Sequence, residues 1–200
     1  MNNIKQYTRY KRAIIVASGP SAKNFSPPEG VAVIAVNGAI DWLPRADYFF
    51  TLDPSPENIR RLKNRRPEVI YCVAGFTVQN AFCFERVAYR NGPEPDNKDS
   101  PQWWAWRLQA VESLCTEVNK IHTGNSAWGA LGLVYHLGIK QVALIGVDAS
   151  EEPRVEGGQS NNLSHLPALF SSARHQINVV SLGKLSSIPQ MTLDNWLAQK

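Results

Sequence analysis

The chain has 200 residues, 44% of them hydrophobic and 19% charged, with a formal net charge of +4. That balance excludes a wholly disordered chain, and 13 Gly with 13 Pro exclude a collagen-like or low-complexity one. A length of this order suits one domain, in which roughly 70% of the unfolded surface is buried. No apolar run approaches the ~20 residues of a membrane-spanning helix, and Met1 to Arg12 is polar and basic, with no apolar leader region. The expectation is a soluble, unprocessed, cytoplasmic protein that engages no membrane.

The charge of +4 equals that of the first twelve residues, where Lys5, Arg9, Lys11 and Arg12 have no acidic neighbour. Residues 1–12 therefore read as a basic tail and residues 13–200 as a single domain close to neutral. Cys72, Cys83 and Cys115 are odd in number and lack CxxC spacing, so they read as reduced core residues. Arg60, Arg61, Lys63, Arg65 and Arg66, flanked by Glu57 and Glu68, form either a solvated helix face or a docking patch for a polyanion. No recognisable nucleic-acid motif accompanies them, and nucleic acid is a disfavoured partner.

In chain order, strands are expected near residues 13–17, 31–36, 48–52, 69–73, 141–146 and 177–181, each a short run rich in Val and Ile. Runs such as Val31 to Val36 carry no polar alternation, so both faces must be covered. This is the signature of an α/β fold, a mostly parallel sheet with helices on both sides. Helices are expected over 57–65, over 103–118 with its three tryptophans, over 126–137, and in a short terminal turn from Thr192 to Gln199. Ala127, Ala130, Leu131, Val134 and Leu137 form an apolar stripe at helical spacing, capped by Asn125 or Ser126 and followed by Gly138. Gly129 and Gly132 inside that helix imply close approach by another backbone or a ligand. Residues 91–101 and 149–164 read as loops, the second acidic and then rich in Gly, Ser and Asn.

The first strand ends in Ser18-Gly19-Pro20-Ser21, a bend where backbone amides and a small hydroxyl approach phosphate oxygens, or else simply a tight turn. It is neither GxGxxG nor GxxxxGK[ST], which disfavours a standard dinucleotide site or P-loop. The second strand ends at Asn37-Gly38 and the third at Asp53-Pro54. The Asn suits a base edge or ribose, the Asp a ribose hydroxyl or divalent cation, and both also suit turns or caps. Thr123-Gly124-Asn125-Ser126 leads into the clearest helix, whose free amides and dipole suit a phosphate or carboxylate, ordinary N-capping being the alternative. A further strand ends at Gly146-Val147-Asp148. Parallel strands present such ends along one edge, where open α/β proteins bind ligands. His165, after the second loop, is either an acid or base brought over the cleft or an exposed loop residue. His136 and His175 read as structural, and the Trp-rich segment as core, interface or lid.

The order of these segments, Ile14 to Ser21, Val33 to Ala39, Tyr48 to Asp53, Thr123 to Ser126 and Leu144 to Asp148, resembles a Rossmann-like superfamily. It contains the archaeal 6-hydroxymethyl-dihydropterin pyrophosphokinases and, more distantly, the bacterial sialyltransferases that use CMP-sialic acid. The likeness spans roughly residues 13–148, and the compact chain is compatible with a phage-encoded member. The resemblance implies Gly19, Pro20 and Ser21 beside nucleotide phosphate, Asn37 and Asp53 near the nucleotide or its metal, and Gly124 to Ser126 near phosphate or an acidic substrate group. The sialyltransferases use a downstream histidine as base; here only His165 and His175 follow Asp148.

The function expected is a transferase that binds a nucleotide or nucleotide-sugar at the carboxyl edge and moves a glycosyl or diphosphoryl group, with His165 and Asp148 as catalytic groups. Magnesium would accompany the nucleotide, and a homo-oligomer stays open. The rival is a non-catalytic binding or assembly protein on the same fold, docking through the basic tail, the arginine cluster and the Trp segment.

Overall fold

The computed structural model describes residues 4–160 and 162–199. Eight parallel strands form one open sheet: β1 (Arg12–Val16), β2 (Ala32–Val36), β3 (Tyr48–Thr51), β4 (Ile70–Ala74), β5 (Phe82–Val87), β6 (Lys120–His122), β7 (Gln141–Ile145) and β8 (Asn178–Ser181), in the order β6-β5-β4-β3-β2-β1-β7-β8. The fold is Rossmann-like α/β. Side chains alternate across each strand, so Ala13 and Ile15 of β1 enter one core layer while Ile14 and Val16 enter the other. The first layer is covered by α4 (Ser126–His136) and α5 (Leu166–Ser172). The second is covered by α1 (Ala39–Trp42), α2 (Pro56–Lys63) and α6 (Leu193–Ala198), while α3 (Pro101–Arg107) lies in the β5–β6 connection. Among the described residues no helix is long and apolar enough to cross a membrane.

The six expected strands are present. β5 and β6 are additions that the sequence pattern hides, because they lie towards one edge and bury little: one residue of β5, Phe84, and one of β6, Ile121. The helix expected over 103–118 stops at Arg107. Its apolar residues continue, but Gln109 and Ser113 have positive φ of 53° and 60°, and the chain descends into the core as a loop. α5 was not anticipated; it follows the Gly- and Asn-rich loop directly, with Pro167 in its first turn.

After β6 the chain must return across the whole sheet to reach β7 on the other side of β1. α4 makes that crossing, packing against β6, β3, β2 and β1. Its residues Ser126 to Val134 are all buried, a wider burial than the expected stripe, because α5 and the 108–115 loop cover its outer side. Trp128 is 1% exposed, meets Phe170 of α5 edge-on at 5.3 Å, and donates through Nε1 to the Val111 carbonyl at 3.2 Å. Gly129 faces neither backbone nor ligand: a Cβ there would lie 2.6 Å from the Phe50 ring, and one at Gly132 would make ordinary contact with Ile121.

Ile4 is buried in the α4 layer, Tyr48 donates its hydroxyl proton to the Tyr7 carbonyl at 2.9 Å, and Tyr10 donates to Asp47 at 2.9 Å. Arg12 opens β1 and sits 4.0 Å over the Trp196 ring. Residues 1–3, the start of the expected tail, lie outside the described residues, as does Lys200. The arginine cluster is largely committed to the fold. Arg61 pairs with Asp41 at 2.7 Å, Arg66 binds Glu68 and the Leu43 and Pro44 carbonyls, and Arg65 binds the Leu62, Gln79 and Asn80 carbonyls. All three cysteines are free, but Cys83 is exposed on β5 rather than in the core.

Between β1 and β7 the backbones nearly touch. Gly146 has φ of 70°, and a Cβ there would lie 3.0 Å from the Ala22 Cβ and closer still to the Ala17 carbonyl oxygen. Gly30 shares the positive φ, 77°, but opens onto free space. Gly30→Ala is therefore expected to cost about 1 kcal/mol, the left-handed penalty alone. Gly146→Ala must also push two backbones apart and should cost about 3 kcal/mol or more. Urea denaturation of the two variants checks this, and equal losses would refute the close approach.

Candidate functional site

The carboxyl ends of β1, β2, β3, β6 and β7 open onto one cavity of about 450 Å³, a size that suits a small-molecule ligand. Strand order reverses between β2 and β7 around β1, the topological position where open parallel sheets hold ligands. Of the residues expected at a site, Ser18, Gly19, Asn37 and Asp53 line the cavity, as do Thr123, Gly124, Asn125, Ser126 and Asp148. Pro20, Ser21 and His165 are not among its lining residues.

Much of this polar set is engaged in holding the edge together. Ser21 accepts the Gly146 amide on Oγ at 2.9 Å, and its own amide donates to Asp148 Oδ2 at 2.8 Å. Asp148, 7% exposed, also accepts the Lys184 amide on Oδ1 at 3.1 Å. One carboxylate thus ties the turn after β1 to the loop after β8, through the charge-assisted bonds a buried carboxylate requires. Thr123 is 1% exposed and acts as a knot: its amide donates to Val87 at the end of β5, its carbonyl accepts from Val111, and its hydroxyl donates to Gln109. Asn125 caps α4, accepting the Trp128 amide at 2.8 Å, and Ser126 Oγ accepts the Leu52 amide at 3.1 Å, pinning the helix start to the end of β3.

What remains turned to the cavity is smaller. The amides of Ser126 and Ala127, in the first turn of α4, have no intrahelical carbonyl within reach and carry the positive end of the helix dipole. Asn37, at φ 51°, and Asp53 are held by Asn58, a 2% exposed amide that no sequence motif marks. Its Nδ2 lies 3.4 Å from Asn37 Oδ1 and 3.2 Å from Asp53 Oδ2, while its Oδ1 accepts from Arg61 at 2.8 Å. With the Asn37 carbonyl oxygen facing Asn58, its NH₂ is the donor left over, beside an Asp53 acceptor. Only the register of α2 against β3 reveals this pairing.

The loop after β7 lies over the turn after β1. The Val155 amide donates to the Ser18 carbonyl at 2.8 Å, and Glu152, Arg154 and Glu156 line the cavity from above. Asn161 of this loop lies outside the described residues. Arg86 of β5 and Trp104 and Leu108 from the α3 region also line the cavity; the sequence pattern marks the Trp segment as core, interface or lid, but it hides β5 and with it Arg86. Ser18 Oγ and Trp104 Nε1, on lining residues, are buried without a partner, as are Ser164 Oγ and His165 Nδ1 beside the cavity wall. Buried orphans are uncommon in folded proteins; four of the six among the described residues are here, the others being Arg12 Nε and Trp42 Nε1. Among the described residues no group of three or more His, Cys, Asp or Glu is placed to hold a metal ion.

His165 is neither exposed nor poised in the cleft. It is 2% exposed, with Nε2 3.2 Å from the Gly124 carbonyl oxygen. That oxygen only accepts, so Nε2 carries the proton. Burial lowers its pKa and outweighs the opposing effect of the Gly124 contact. The histidine positions the segment before α4 from beneath.

No protein-family model matches the chain, and no curated protein matches it. Among solved structures it is similar to the MAf glycosyltransferase from Magnetospirillum magneticum AMB-1, with a TM-score of 0.56 and 13% sequence identity. The match covers 96% of this chain and 34% of that one, so this chain spans about a third of that protein. At this identity the likeness is one of fold.

Because His165 is neutral in the fold and gains a proton more easily when unfolded, its contribution to stability is present above about pH 6.5 and lost as pH falls below that value. His165→Gln should make the acid-side decline in urea stability shallower. His136, whose pKa burial also lowers, contributes in the same direction. An unchanged slope would rule out this linkage.

Proposed function

We propose that the chain is a transferase that binds a nucleotide or nucleotide-sugar at the carboxyl edge of its sheet and moves a glycosyl or diphosphoryl group from it. The observation that carries this reading is the meeting of five strand ends and the start of α4 around one cavity at the strand-order reversal. The amides at the start of α4 suit phosphate oxygens. The Asn37 donor and Asp53 acceptor suit the polar edge of a nucleoside, and Ser18 with Gly19 closes the phosphate end. Similarity in fold to a glycosyltransferase supports the same class.

In such a reaction an acceptor hydroxyl oxygen bonds to the transferred group as that group's bond to the donor's phosphate breaks; the phosphate leaves with the electron pair, and the hydroxyl proton passes to the leaving phosphate or to water. Fixed amides and a helix dipole stabilise that developing charge without reorganising, so the site works mainly by positioning and electrostatics. A magnesium ion would be held chiefly by the nucleotide's own phosphates, with the Asp53 carboxylate available as a protein ligand. Asp148 and His165 serve by holding the turn after β1 and the Gly124 segment in place.

A second reading, a non-catalytic binding protein on this fold, is favoured by one observation: both groups expected as acid and base are bound to backbone partners. A thermal-shift panel of CMP, CDP, UDP, ADP, ATP and their sugars, with and without magnesium, separates the two. The transferase reading expects at least one nucleotide to stabilise the chain by several degrees, with the shift lost in Asp53→Ala. Silence across the panel would sink it and favour the second reading.

A further inference from the structure

Neighbouring strands lie about 4.8 Å apart, so a cavity wall running from β5 to β1 crosses four spacings, roughly 19 Å. That reach accommodates two reactants side by side. The β1 end, with Ser18 and Asn37, has been read above as the donor end; the β5 end has different chemistry.

Arg86 stands one residue before the end of β5, on the same face as buried Phe84 and so on the side that α4 covers. Its guanidinium lines the cavity and makes no ion pair or hydrogen bond with a described residue. The stem is nonetheless placed: it lies over Gly75, where a Cβ would sit 2.9 Å from Arg86 Cδ and 3.2 Å from its Cβ, and where φ of 88° keeps other residues out. Trp104, from the connection between β5 and β6, lines the same cavity. Arg107 covers its ring at 5.3 Å from the centroid and Trp103 meets it edge-on at 5.0 Å, while the indole also lines the cavity. Trp104 Nε1 is buried with no partner, whereas the neighbouring indoles donate to Glu94 and to the Gly92 carbonyl. The knot at Thr123 fixes this wall to the start of α4, because it binds the end of β5 and the chain leaving α3 at once.

Resting on the transferase reading, we propose that Arg86 and Trp104 form the acceptor subsite and that the acceptor is an anionic saccharide. Its carboxylate or phosphate faces Arg86, whose fork-shaped guanidinium matches either group. Its ring packs on the indole. A neutral sugar would leave the guanidinium unpaired, and a bare anion would leave the indole unused.

The full chain is titrated with glucuronic acid and with glucose 6-phosphate, using calorimetry and intrinsic tryptophan fluorescence, with glucose and inorganic phosphate as controls. At least one anionic sugar should bind saturably and more tightly than both controls, the better of the two identifying a carboxylate or phosphate acceptor. Arg86→Gln should weaken that binding about tenfold or more while leaving any nucleotide stabilisation intact. Trp104→Leu, with an unchanged circular dichroism spectrum, should weaken it and remove the fluorescence change. Absence of binding by both sugars, equal binding by inorganic phosphate, or undiminished binding in Arg86→Gln would each overturn the subsite. If nucleotides stabilise the chain but neither anionic sugar binds, the subsite falls and the transferase reading stands. If anionic sugars bind through Arg86 and no nucleotide does, the transferase reading falls and the anionic-saccharide site remains.

Discussion

The return of the chain from β6 at one edge to β7 beyond β1 has to be made by a helix that crosses most of the sheet, and α4 is that helix. Sheet, α5 and the 108–115 loop enclose it on all sides, so its sequence is apolar almost throughout and admits glycine where Phe50 presses against it. Its start is pinned to the end of β3 by Ser126 and to the end of β5 through Thr123. Burial of the helix and the position of its positive end are thus one constraint. The cavity takes its shape from the crossing, because the strand ends on either side have nowhere else to converge.

The polar residues of the carboxyl edge divide into those that build it and those left facing the cavity. A carboxylate at 7% exposure must be fully hydrogen-bonded, and Asp148 meets that demand with two backbone amides rather than a ligand. Ser21, Thr123, Asn125 and Ser126 are spent in the same manner. What faces the cavity is the α4 amides, the Asn37–Asp53 pair held by Asn58, Arg86, and the mixed charges of Glu152, Arg154 and Glu156. Residue types that suit a phosphate site also suit capping and turn-tying, and the two uses differ only in which partner is nearer.

The loop after β7 adds a roof to this arrangement. By pairing Val155 with the Ser18 carbonyl it encloses the Ser18 hydroxyl, and it carries both acidic and basic side chains to the cavity rim. The β1 end is therefore enclosed, while the β5 end keeps an exposed arginine.

The sequence by itself determined the class of fold. Unbroken apolar runs such as Val31 to Val36 have to be covered on both faces, and only a parallel sheet between helix layers does that. It also marked the strand ends Ser18-Gly19, Asn37 and Asp53, because local turn chemistry is written in local residues. The tertiary structure alone decided that His165 lies beneath Gly124 rather than over a cleft, that Asn58 holds Asn37 and Asp53 together, and that Arg86 and Trp104 share a wall with Ser18. Most of those relations join segments tens of residues apart, through strands as short as Lys120–His122 that bury a single side chain. Such strands leave no periodic trace, since their pairing is set by the neighbour they lean on and not by their own pattern.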